Sequence, residues 1–176
     1  GSPLSIQVHP NKLQAQQGFL REEQAGIPLA AGHRNYKDPN HKPELISALT
    51  PFAAMVGFRP IGEMINLLQL LGVKLFNSWI LELEARGLEA LEPFYQWVLE
   101  LPADEVRRTL AAAAPSIKYH KQPALLEMAR LARAYPGDSG AFAPLLMNLV
   151  YLNPGESLFL PARTPHAYLR GTGVEV

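Results

Sequence analysis

The hydrophobic period of this 176-residue chain changes twice, and that change limits what it can fold into. Residues Pro3 to Pro10 alternate apolar and polar positions, the period of a half-buried strand. Ser5, Gln7 and His9 would then share one face and Leu4, Ile6 and Val8 the other. Further strands are expected over 43–49 and 51–56, separated from the first by the polar, turn-forming run GHRNYKDPNHK at 32–42. From 59 to 134 the repeat becomes helical. Met64, Leu67, Leu68 and Leu71 lead to a stop at Gly72, and Phe76, Trp79, Ile80 and Leu83 lead to Gly87. A stretch from Leu88 to Leu101 is closed by Pro102, Asp104-Glu105 open another helix, and Leu125, Met128, Ala129 and Ala132 mark the last. Strand patterning returns at 145–152, 157–160 and 166–169. Strands at both ends around one helical block predict an α+β protein in which the two ends pair. The expected divisions are a first β part at 1–58, a helical insert at 59–134 and a second β part at 135–176.

Composition narrows the function. Lysine plus arginine equals aspartate plus glutamate at 16 each, which argues against a protein devoted to nucleic acid or an anionic membrane. There is no cysteine, so disulfides and thiolate ligands are excluded, and any metal falls to His, Asp, Glu or amide oxygens. No apolar run reaches the ~20 residues of a membrane span. A signal-peptide layout is also missing at the start, so the expectation is a cytoplasmic protein, and separately a monomer.

Three strand segments each offer polar side chains to one side: Gln7 with His9, Lys42 with Glu44 across Pro43, and His166 with Tyr168. Two imidazoles, one carboxylate and one amide oxygen make a set that suits zinc, with manganese or another divalent ion as the alternative. Taken singly, each residue has a plainer reading. A lone strand histidine is more often structural, Glu44 reads as a surface acid, and glutamine is an uncommon zinc ligand.

The spacing Gly155-x5-Pro161-x4-His166 resembles the second cupin motif, with Arg163 where that motif usually has glycine. Three longer strings, PLSIQVHPNK at 3–12, RNYKDPNHKPEL at 34–45 and PGESLFLPARTPHAYL at 154–169, resemble the signature stretches of type I phosphomannose isomerases. Pro136-Gly137-Asp138 and Pro144 to Asn148 are similar to that family too. The resemblance implies a cupin-type jelly roll carrying an inserted helical domain. It makes Gln7, His9, Glu44 and His166 the ligands of a zinc ion. It places His41 and Lys42 at ring opening and proton transfer, Ser5 at the substrate phosphate, and Tyr168 and Glu175 in the active site. It implies interconversion of mannose 6-phosphate and fructose 6-phosphate, a small sugar phosphate being the partner. Family members carry sequence on both sides of this stretch, including a catalytic arginine after the position of Glu175, so the chain is expected to be a fragment.

Moving a proton between C2 and C1 of a sugar needs a base, and a lysine desolvated beside a metal has its pKa lowered toward the working range. Lys42 fits that role, or equally a phosphate-binding one. His41 suits acid–base work. The alternative class is a cupin that keeps metal and sugar phosphate without turnover, because fold alone does not fix function.

Overall fold

A computed structural model describes residues 3–176; residues 1 and 2, the start of the expected 1–58 part, lie outside the described residues. It combines helices with two three-stranded antiparallel sheets. The strands are β1 (Glu44–Ala48), β2 (Phe52–Phe58), β3 (Met147–Leu152), β4 (Ser157–Leu160), β5 (His166–Arg170) and β6 (Gly173–Glu175). One sheet has the order β4-β1-β6 and the other β3-β2-β5. Early strands therefore pair with late ones: Glu44 lies opposite Leu160, Ile46 opposite Glu175 and Val56 opposite His166.

Two compact units result, residues 3–56 with 151–176, and residues 57–150. In the first, β1 buries Glu44, Ile46 and Ala48 and half-buries Leu45 and Ser47, the alternation that a strand imposes. Ile46, Ala48, Phe52 and Ala54 form its apolar cluster, with Tyr168 packed against it.

The second unit holds α2 (Ile61–Leu71), α3 (Asn77–Arg86), α4 (Leu91–Leu99), α5 (Ala103–His120), α6 (Pro123–Ala134) and the short α7 (Ala143–Leu146). The expected leucine stripe of α2 is buried at Met64, Leu67, Leu68 and Leu71. Gly72 ends that helix in the left-handed conformation at φ 69°, which glycine adopts without a Cβ clash. Phe76 sits among Phe94, Trp97 and Phe142 with edge-on ring contacts at 5.6–6.4 Å, the arrangement that aromatic quadrupoles favour.

Four local expectations are corrected. Residues 3–10 do not form a regular strand. Leu4 N–H donates to Tyr168 O, while Gln7 exchanges both main-chain bonds with His166, so three residues on one side span two on the other. That extra residue bulges the ladder, and only Gln7 counts as a bridge. Leu4 and Val8 are exposed rather than buried. The expected β part at 1–58 is not only strands and turns, because 12–24 form α1 (Lys12–Gln24). Leu145 and Leu146 are helical, not extended; Pro144 stands in the first turn of α7, where its missing N–H costs nothing. The helical unit also continues to residue 150, well past 134, because Phe142, Leu145, Leu146 and Leu149 join its core.

Candidate metal centre

Glu44 opens β1 on the same face as Ile46 and Ala48, so its carboxylate stands at the end of an apolar row with 3% exposure. A lone charge there is costly unless partners surround it. His9 Nε2 lies 2.8 Å from its Oε1, and His166 Nε2 lies 3.0 Å from its Oε2. The carboxylate thus stands between two imidazoles whose ring centres are 5.5 Å apart. Ligand-type atoms of His9, Glu44 and His166 all fall within 4.8 Å of one another.

Backbone pairing sets these side chains. His166 begins β5, bonded through its main chain to Gln7 on one side and placed opposite Val56 on the other. Its Nδ1 is 2.9 Å from the Thr164 carbonyl. That acceptor holds the proton on Nδ1 and leaves the Nε2 lone pair facing Glu44, as in many metal-ligating histidines. His9 is anchored by Arg163, whose N–H donates to the His9 carbonyl at 2.7 Å.

His9 Nε2, Glu44 Oε2 and His166 Nε2 are buried and lack a well-directed hydrogen-bond partner. Three converging acceptor atoms left without donors are what a cation would satisfy. Burial pushes the Glu44 carboxyl up, but the hydrogen bond from Lys42, one shared with Glu175 and the charge of Lys42 outweigh it. The group is held below its ordinary value and stays ionised near neutrality.

The remaining expected residues lie at different removes. Lys42 Nζ touches Glu44 Oε1 at 2.6 Å while most of its side chain is exposed. Tyr168 packs 5.8 Å from the His166 ring, and its hydroxyl donates to Glu175 Oε1 at 2.9 Å. Burial first, then that carboxylate, raises the Tyr168 phenol strongly, so it remains a donor. Gln7 enters through its main chain, with a half-buried side chain. Ser5 and His41 are exposed, and no hydrogen bond or ion pair among the described residues joins them to the cluster.

Sequence reasoning missed the support beneath the 41–44 arm. Glu22, buried on α1, accepts the N–H groups of Asn35 at 3.1 Å and Tyr36 at 2.9 Å. Arg34, also buried, pairs with Glu23 at 2.7 Å and lies over the Phe19 ring. Lys12 donates to Asn40 Oδ1 at 2.7 Å. The legible signal was Asn11-x-x-Gln14, a reciprocal cap in which each side chain bonds the other's main chain.

Fold and cluster together define a mixed helix-and-sheet protein with a buried histidine–carboxylate centre suited to a divalent ion. Residues 1–61 match the phosphomannose isomerase type I catalytic domain family. The chain is 46% identical to mannose-6-phosphate isomerase of Salmonella typhimurium over 175 residues, which is 99% of this chain and 44% of that protein. It is 35% identical to the Homo sapiens mannose-6-phosphate isomerase over 196 residues, covering 99% of this chain and 43% of the relative. The crystal structure of the Salmonella typhimurium enzyme bound to fructose 6-phosphate and zinc superposes with a TM-score of 0.87 at 44% identity, over 99% of this chain and 44% of that one. The chain is similar to type I phosphomannose isomerases and spans less than half the length of these relatives.

Proposed function

We propose that this chain is the metal-binding part of an enzyme that interconverts mannose 6-phosphate and fructose 6-phosphate. The observation that carries the reading is the convergence of His9, Glu44 and His166 through buried atoms that lack hydrogen-bond donors. Gln7 is the fourth ligand in this reading, and zinc the first ion, as in the fructose 6-phosphate-bound relative. Such an ion would supply fixed positive charge that stabilises charge developing on an oxygen of the substrate.

The chain's own residues supply the rest. Glu44 neutralises part of the ion's charge and holds Lys42 in place through its Oε1. Lys42 moves the carbon-bound proton between C2 and C1, and His41 serves the ring-opening proton transfer. Tyr168 stays protonated and donates, with Glu175 orienting its hydroxyl. Ser5 contacts the phosphate. We also read the two sheets as parts of a cupin-type jelly roll with α2 to α7 as an insert between its β parts. The pairing of β1 and β2 with strands after residue 146 supports this.

Glu44→Gln tests the proposal, since it keeps shape and removes the only carboxylate of the cluster. Metal content by elemental analysis and turnover in a coupled isomerase assay are expected to fall together. Full metal occupancy with Glu44→Gln would overturn the ligand set.

A further inference from the structure

Beside His9, on the α1 side, lies a cavity of about 600 Å³ whose polar lining is His9, Gln14, Arg21, Asn35, Tyr36 and Arg163. No acidic residue lines it. Nearby carboxylates are committed elsewhere, Glu22 to main-chain N–H groups and Glu23 to Arg34. Neither Arg21 nor Arg163 has a carboxylate partner among the described residues, whereas Arg34, Arg59, Arg86, Arg107 and Arg130 each have one. Arg21 lies over the Tyr36 ring at 5.9 Å, which restrains its guanidinium without neutralising it.

Arg163 holds a left-handed backbone at φ 70°, unusual for any residue other than glycine or asparagine. Its N–H bond to the His9 carbonyl and the Thr164 N–H bond to Pro161 fix that conformation. A strained backbone that carries an arginine to the mouth of a cavity points to a task for its side chain. Two unneutralised guanidiniums beside the amides of Gln14 and Asn35 offer forked donors matched to a tetrahedral oxyanion.

We infer that this cavity is a phosphate-monoester site next to the metal centre. Ser5, the residue the resemblance ties to the substrate phosphate, does not line it. The inference stands apart from the isomerase reading, because Arg21 and Arg163 belong to no proposed ligand or proton-transfer set and binding is read without turnover. Two sources share this chemistry, the phosphate of the sugar substrate and a separate phosphate-bearing effector.

The experiment is calorimetric titration of the purified, metal-loaded protein with inorganic phosphate at low salt. Saturable binding is expected, weakened by added salt because the donors face solvent. Arg163→Gly removes the charge while relieving the backbone, so it cannot lose binding through misfolding. Arg163→Gly and Arg21→Gln should each weaken phosphate at least about tenfold, the scale of one lost charge-assisted hydrogen bond. Unchanged metal content and circular dichroism should accompany the loss. Mannose 6-phosphate displacing phosphate assigns the site to the substrate; simultaneous binding assigns it to an effector. Absent saturable binding, or Arg163→Gly binding as tightly as the parent, would overturn the inference.

Discussion

Lys42 and Glu44 are two residues apart and joined at 2.6 Å, yet they should answer differently to substitution. Glu44 is buried between two imidazoles, while Lys42 reaches it from solvent and contributes no ligand atom. Lys42→Ala should therefore leave metal content near normal while lowering kcat about 10²- to 10⁴-fold, the usual worth of a positioned acid–base group. Steady-state kinetics of the complete enzyme check this. A raised KM at unchanged kcat would assign Lys42 to phosphate binding instead. Gly18 offers a second residue-scale case. A Cβ there would meet the Tyr36 ring at 2.5 Å, so the ring that shields Arg21 would have to move. Overpacking of this kind costs about 1–3 kcal/mol, against about 1 kcal/mol of helix propensity gained from alanine. Gly18→Ala is expected to lower the denaturant midpoint.

At the scale of elements, α1 and the loop it carries form one latch. Glu22 is held below the ordinary value of 4.5, chiefly by the Tyr36 N–H bond, against a burial effect that raises it. A carboxyl depressed in the folded protein adds stability above its unfolded value. That contribution is lost as pH falls through the folded value. The melting temperature should accordingly drop below pH 4.5, and Glu22→Gln should flatten that part of the curve while lowering stability at neutral pH. Calorimetry across pH 3–7 with both proteins decides it. This latch is also where the sequence was least legible. Helix α1 buries only Ala15, Gly18 and Glu22, too thin a stripe to announce a helix, and its cap reads as a turn. Helices α2 and α6 announced themselves because they bury rows of large apolar side chains, Met64, Leu67, Leu68 and Leu71 in one and Leu125, Met128 and Leu131 in the other. The three-residue β6 had no pattern of its own and exists through pairing with β1. His9, Glu44 and His166 were legible as chemistry because each shares a strand face with a second polar side chain and sits in a string that resembles a known family. What joins them was not, since Thr164 acts through a carbonyl that every residue possesses.

For the molecule as a whole, the two units differ in how far along the chain their contacts reach. Residues 57–150 form a continuous stretch of helices, whereas the other unit is assembled from both ends. Ser47 and Ser157 share a side-chain hydrogen bond although 110 positions separate them. Long loop closures slow assembly. Pulse-labelled hydrogen exchange should accordingly show α2 and α6 protected before β1. Simultaneous protection would mean the units fold as one. During synthesis the consequence is sharper. β1 is the middle strand of its sheet, and both of its neighbours are translated after residue 156. It therefore emerges from the ribosome with two open edges and stays so while more than half the chain is made, an interval in which a neighbouring nascent copy offers it the same hydrogen bonds.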